Sequence, residues 1–559
     1  QRVSQNPLSV TDFGYDGSNG LEPAMPMKLK RIKRPVVRID TRPQMPLFDG
    51  DRDAMPVRGA TTVSRPVRFV EPDPRDIRMG MRRLDEHLQA MGLRDALVLR
   101  EMLGEQDWSA FEARYSAEGR PGYAPRLMAG IVLFGLMRGV SSLRELERFT
   151  RGDLECMWVS GGITPDHSIL GRFILRHEAE LNGTLFESIT QAVLQRTGSG
   201  RARLAGDGTV LEAMSSRFAL IKREALEERR EALCREAESS GEDAAGERER
   251  AERACEVLAE RPRAKAVVPA EPEAGLLKLK NGRGSRPAFQ ASVLANEARV
   301  VVDAHVHSTS EQAALAVLLD RLDGGETREL LLDAGFNTYE NLERALEKEI
   351  SVLCPEQAED VRGEEGARRI PLREFCYVED GDYYVCPAGE RMNPLRRYGG
   401  NPVTGQRAYV QYATPACAGC GRRARCTRGE ARTIQRSVGQ ELKEAMRLVM
   451  AQPQARRVFA QRKAMVEPVF SHLRERHGLN RFRRRGLAGA RLELRLHLMA
   501  YNLGRALAYA RRRVAGGFLC PWEAIGTLLR AIGWHEHRVC QESGVTRRVS
   551  WRGAATAYG

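Results

Sequence analysis

RARLAGDGTVLEA, residues 201–213, decides how the middle of this chain reads. It is a short apolar run with one carboxylate, Asp207, set between Gly206 and Gly208. We read it as a strand that presents Asp207 at a glycine-flanked end. Downstream, AFQASVLANEARVVVDAHVH (288–307) reads as two strands joined by Ala-Asn-Glu, and a helix follows at about 310–323. ELLLDAGFNTYENL (329–342) then reads as a buried strand ending at Asp333, a glycine-containing loop and another helix. Strand, hairpin, helix, strand and helix in that order predict an α/β fold with a mixed sheet.

On either side the pattern changes. Residues 75–198 read as all helix, with Pro125 near the start of an apolar helix, Ser141 or Ser142 capping the next, and Thr164-Pro165 opening another. Short helices with tight turns suit a helix-turn-helix-like DNA-binding domain, and a plain helical bundle fits them as well. Residues 214–266 are rich in Glu, Arg and Ala, and the break SSGEDAAG (239–246) predicts a helical-hairpin insertion. Residues 355–440 read as irregular and contain a cysteine cluster. From about 440 through 513 the chain reads as helix again, completing one domain, 199–354 plus 440–513. Residues 1–70 read as a disordered basic, Pro-rich tail, in which KLKRIKRP (28–35) can meet phosphates, and 514–559 as a C-terminal tail. The first residue is Gln1, so the native start is expected elsewhere, and no secretory signal is visible.

The chain has 559 residues, 88 Lys and Arg against 74 Asp and Glu, and a formal charge of +14. Such a balance favours a polyanionic partner. The longest apolar run, LMAGIVLFGLM (127–137), lies between Arg126 and Arg138 and falls short of the roughly 20 residues needed to span a bilayer, so no membrane partner is expected. Eleven cysteines in a chain of this length do not read as a disulfide framework, and their clustering points to a metal site in a reducing cytosol.

Metal-assisted phosphodiester cleavage needs carboxylates, because hard divalent cations prefer oxygen ligands. Asp207 and Asp333 are candidates, although an Asp beside Gly is also a common turn residue. Asp303, in VVVDAHVH, competes from a neighbouring strand. Glu467 lies in RKAMVEPVFSHLRERHG (462–478), read as a helix with Pro468 near a turn boundary. Lys463 stands four residues before it and Arg474 seven after, near the same helix face. A carboxylate flanked by cations suits a metal site that grips a phosphate backbone, and an ordinary surface ion pair is the alternative.

GDGTV around Asp207, LLLDAGFNT around Asp333, and the blocks 462–478 and 481–507 resemble bacterial insertion-sequence transposases of the DDE superfamily. RPGYAPRLMAGIVLFGLMRGVSSLRELER (120–148) and PDHSILGRF (165–173) resemble the helical N-terminal domain of the same group. The resemblance implies an RNase H-like core in which Asp207, Asp333 and Glu467 hold two Mg²⁺ (or Mn²⁺) ions. It implies cleavage at transposon ends and strand transfer into target double-stranded DNA, by a homodimer associated with the bacterial nucleoid in the cytoplasm. Relatives carry a Tyr and an Arg before the glutamate and a Lys or Arg seven residues after it. Arg474 matches the last, Arg462 or Lys463 supplies the upstream cation, and Phe459 or Ala460 stands where the Tyr is expected.

Cys386 in CPAGERM and Cys417, Cys420 and Cys426 in CAGCGRRARC form the cysteine cluster, with Cys376 as an alternative to Cys386. The CxxC pair is a half-site for tetrahedral Zn²⁺, and no histidine falls between His307 and His472. Free buried thiols and an iron–sulfur cluster are the alternatives. The region RFRRRGLAGARLELR (481–495) is dense in arginine, and Arg481, Arg483, Arg484 and Arg485 are expected, with Arg462, Lys463 and Arg474, to contact DNA. Leu492, Leu494, Leu496, Leu498 and Leu503 are expected in the core. Two other functions fit the same residues: a non-catalytic or domesticated helix-turn-helix protein, and an RNase H-like nuclease that cleaves without joining.

Overall fold

The computed structural model describes residues 66–236, 242–262, 264–279, 283–357, 370–401 and 406–516. The expectations for residues 1–65 and 517–559, KLKRIKRP included, lie outside the described residues. Among the described residues no helix is long and apolar enough to cross a membrane.

The N-terminal part is a set of short helices. Its centre is α1 (Pro125–Met137), nearly every residue of which is buried. Proline stands at its first position, where a missing N–H costs nothing. Around it lie α2 (Leu143–Gly152), α3 (Leu154–Ser160), α4 (His167–Arg176) and α5 (Thr184–Thr197). Helix α4 starts later than the Thr164-Pro165 pair suggests. Its cap is Asp166, whose carboxylate accepts from the backbone N–H of Ser168 (2.8 Å) and Ile169 (2.9 Å). The region is also not wholly helical: two-residue strands at Phe69–Val70 and Gly122–Tyr123 pair in parallel.

The chain then enters the sheet as β1 (Arg203–Glu212). Two helices follow, α6 (Arg223–Glu236) and α7 (Glu242–Glu260), which pack on each other around Leu226, Ala251, Ala254 and Leu258. Helix α7 begins inside SSGEDAAG, three residues into that stretch. Next come β2 (Gly275–Lys278), β3 (Ser285–Asn296), β4 (Val301–His307), α8 (Glu311–Arg321), β5 (Glu329–Leu331), α9 (Tyr339–Glu347) and β6 (Ser351–Leu353). The sheet order is β4–β3–β1–β5–β6, with β2 paired to β3. Strands β1, β3 and β4 run antiparallel, while β5 and β6 run parallel to β1. From Pro287 to Asn296 every residue of β3 is buried, because helices cover both faces.

Residues 370–437 are not the irregular stretch the sequence suggests. They contain a five-stranded antiparallel sheet, β7 (Cys376–Val378), β8 (Tyr383–Val385), β9 (Arg391–Tyr398), β10 (Tyr409–Ala413) and β11 (Ile434–Ser437), paired in sequence order. It has its own core of Ile370, Phe375, Tyr384, Met392, Tyr412 and Ile434.

Helices α10 (Gln440–Ala451), α11 (Pro453–Phe459), α12 (Gln461–Glu475) and α13 (Gly486–Gly516) follow. Helix α12 lies against β1 and β3, and α8 against β3 and β4. Helix α13 packs against α1, α5 and β4, and Leu492, Leu494, Leu496, Leu498 and Leu503 are all buried. One continuous cluster of buried side chains therefore joins the N-terminal helices to the sheet.

Asn502 of α13 is a polar clamp in this core. Fully buried, it accepts from the Val301 N–H (2.9 Å) and donates to the Val301 carbonyl (2.7 Å) and to Thr190 (3.3 Å). Asn502→Leu leaves both backbone groups of Val301 buried without these partners, and it should cost about 2–4 kcal/mol. Chemical denaturation measures this; a loss below about 0.5 kcal/mol, the size of an ordinary surface substitution, would contradict it.

Candidate active site

The sheet register brings Asp207 and Asp333 together. The parallel ladder between β1 and β5 ends at the pair Ala205 and Leu331. Asp207 and Asp333 each lie two residues beyond that pair. Asp207 is not at the end of its strand, as the sequence suggests, but in the middle of β1, opposite Val293 of β3. It opens to solvent because the neighbour on its other side, β5, stops at Leu331. The flanking glycines serve close packing instead of chain reversal. A Cβ on Gly206 would lie 2.6 Å from Leu332, and one on Gly208 would lie 2.0 Å from the carboxylate of Glu311.

Asp333 leaves β5 and caps a short 3-10 turn, accepting from the Gly335 N–H at 2.9 Å. Its own carbonyl accepts from the Cys354 thiol at 3.0 Å. Burial, and then the charge of Asp333, pushes that thiol up to about 12, so it remains a donor.

Glu467 comes from α12. Pro468 lies inside this helix and not at its boundary, which removes the N–H that would reach the Ala464 carbonyl. Arg299 supplies the replacement: its Nε donates to the Ala464 carbonyl at 2.9 Å. The helix thus continues through the proline and carries Arg462, Lys463, Glu467 and Arg474 along one cavity.

That cavity has a volume of about 770 Å³, and Asp207, Asp333, Glu467, Arg462, Lys463 and Arg474 all line it. Phe459 and Ala460 line it too, at the place where the tyrosine of the resemblance is expected. Buried Arg462 ties the acids together. Its Nη2 lies 3.0 Å from Asp207 and 3.4 Å from Asp333, and its Nε donates to the Gly206 carbonyl at 3.2 Å. Arg474 donates to the Thr209 hydroxyl, and Lys463 and Glu467 are exposed.

The donor set suits a hard divalent cation: all three acids offer oxygen, and a guanidinium already stands between two of them. Among the described residues, however, no group of three or more His, Cys, Asp or Glu side chains is drawn together so as to hold a metal ion.

Asp303 does not belong here. It pairs with Leu294 of β3 while Asp207 pairs with Val293, so the two acids point to opposite faces of the sheet. Asp303 lines a larger cavity, about 1020 Å³, where its own charge is already matched: Arg495 lies 2.6 Å and Arg321 3.5 Å from it. Size alone does not make that cavity the site. Glu311 is an acid that the sequence reading did not single out; it lies on the side of β1 away from Asp207 and does not line the 770 Å³ cavity. It sits at the first position of α8, against Gly208 and near Gly335, and only the space left by two glycines marks it.

The arginine-rich region divides. Arg481 donates to the carbonyls of Ala213 (2.9 Å) and Met214, and burial lowers the pKa of Arg484 from its ordinary value. Arg481, although exposed, is thus engaged with its own chain, while Arg484 is half-buried. Arg483 and Arg485 are exposed.

Two segments of the chain match transposase domains. Residues 385–507 match a family described as a transposase DDE domain, and residues 88–176 match one described as a transposase domain (DUF772). The first segment holds Glu467 and the four clustered cysteines, and the second holds α1 to α4; Asp207 and Asp333 lie outside both. No curated protein matches the chain.

Proposed function

We propose that the chain is a DNA transposase with an RNase H-like catalytic core, cleaving at transposon ends and joining the freed 3′-hydroxyl to target DNA. One observation carries the reading: carboxylates from β1, from the end of β5 and from α12 line a single cavity together with three cations. The sheet supports it. In order of appearance its five main strands are arranged 3-2-1-4-5, the first three antiparallel and the last two parallel to the first, as in an RNase H-like sheet.

Asp207, Asp333 and Glu467 are the residues that would hold two Mg²⁺ ions. Bound there, the ions would supply Lewis-acid stabilisation of the phosphodiester and a water activated at neutral pH. The chain's own groups do the rest. Lys463 and Arg474 present positive charge to a phosphate entering the cavity. Arg462 neutralises Asp207 and Asp333 and fixes their spacing, and Thr209 orients Arg474.

The test is incubation of the full chain with Mg²⁺ and DNA carrying the sequences that flank its gene. Nicked ends and joined products are expected. Cleavage without joined products would favour a nuclease, and binding without cleavage a non-catalytic DNA-binding protein.

DNA affinity is expected to draw on Arg483 and Arg485. Replacing both by Ala should weaken binding to all sequences alike and reduce the salt slope by about two, near one per lost phosphate contact. Unchanged affinity, or a loss confined to one sequence, would remove them from a backbone-binding role.

A further inference from the structure

The cysteine-bearing sheet contains a site that the DNA chemistry does not use. Cys386, Cys417, Cys420 and Cys426 are free thiols that all line one small cavity of about 30 Å³. They reach it from three separate turns. Cys386 follows β8 and opens a tight turn in which its carbonyl accepts from the Gly389 N–H (2.8 Å) and its N–H donates to the Glu390 carbonyl (2.9 Å). Gly389 has φ +85°, a conformation that glycine adopts without strain. Cys417 and Cys420 lie in and just after the 3-10 turn Pro415–Gly419, and Cys426 ends a short helix. As placed, the thiols stand around the cavity and are not drawn in to ligand distance.

We propose that these four cysteines bind one structural Zn²⁺ as a tetrahedral thiolate site, fastening the loops of the five-stranded sheet to one another. Four sulfur donors with CxxC spacing are the set that zinc takes in closed sites. The surroundings match the charge such a site would carry. Four thiolates around Zn²⁺ leave two negative charges, and Arg422, Arg423 and Arg432 all line the cavity. Arg432 is the most telling. Its Nη1 donates to the Cys426 carbonyl (3.2 Å), while its Nε is buried without a hydrogen-bond acceptor. A neutral thiol is a poor acceptor, and a metal-bound thiolate beside Arg432 would be a good one. Cys376 is exposed and outside the cavity, which removes it as a ligand. The physical need is plain, because the core of this sheet is only a few side chains. Metal binding adds stability that so small a core lacks.

This inference does not rest on the DNA-cleavage reading, and metal content is measured without DNA. The full chain, purified without chelator, should contain about one zinc per molecule. Exchange with Co²⁺ should give the absorption bands of tetrahedral cobalt bound by thiolate. A Cys417→Ser, Cys420→Ser double variant should lose both signals, and Cys376→Ser should keep them. If the double variant does not fold, the wild-type chain still decides: four thiols should resist a thiol reagent until zinc is released, and zinc release should track their modification. Zinc well below stoichiometry with no thiolate–cobalt band, bound iron with sulfide, or a Cys417–Cys420 disulfide in the purified chain would each overturn the proposal.

Discussion

Asp207→Asn, Asp333→Asn and Glu467→Gln should each lower cleavage of end-containing DNA by at least about a thousandfold, a loss of roughly 4 kcal/mol of transition-state stabilisation. The substitutions keep shape and remove one charge, so little else should change. At position 333 an amide oxygen can still accept from the Gly335 N–H, as the carboxylate of Asp333 does at 2.9 Å. At position 207 it can still accept from Arg462, which now reaches the carboxylate at 3.0 Å. Glu467 is exposed in the cavity, and Gln there disturbs no packing. Fold and DNA binding should therefore survive. Double variants should be little worse than single ones, because groups that act as one unit lose their effect together. Rates of cleavage measured beside a binding assay decide the matter. Near-normal cleavage by any one variant would remove that residue from the set. Asp303 would not take its place, because it faces the other side of the sheet.

Arg462→Gln should destabilise the metal-free protein and make it more responsive to divalent cations. The guanidinium is buried and serves two carboxylates and the Gly206 carbonyl. Removing one partner of a buried ion pair costs about 3–5 kcal/mol. Asp333 is 41% exposed and Asp207 20%, so water screens part of that, and about 1–3 kcal/mol is expected. In chelator the variant should melt below the wild type. Added Mg²⁺ or Mn²⁺ should raise its midpoint more than the wild type's, since ligand binding to the folded state adds stability. Equal midpoints in chelator and equal shifts with metal would show that Arg462 is not the counter-ion of the pair.

Much of the core was legible in the sequence, for physical reasons. Strands β1, β3, β4 and β5 are apolar runs, and the helices around them carry marked starts. The carboxylates of Asp207 and Asp333 stood out because each interrupts an apolar run. Their exact setting was not legible. Glycines on both sides of Asp207 look like a turn, but here they admit Leu332 and Glu311 to a continuing strand. Pro468 looks like a helix end, but Arg299, more than 160 residues earlier, takes over the vacated carbonyl. The second sheet was missed because its strands are short, and β9 carries Pro394 and mostly exposed side chains. Nor does arginine density show which side chains the fold engages: Arg481 reaches the carbonyls of Ala213 and Met214, contacts set by distant residues that no local pattern records.

The central claim is that Asp207, Asp333 and Glu467 act as one metal-binding unit. A crystal of the full chain bound to DNA and soaked in Mn²⁺, measured for anomalous scattering, tests it most directly. The account predicts manganese peaks in the cavity that these residues line, with oxygen atoms of all three at roughly 2.0–2.2 Å, the range for small hard cations. A cavity without manganese, or manganese held by other acids while these three stay apart, would contradict it.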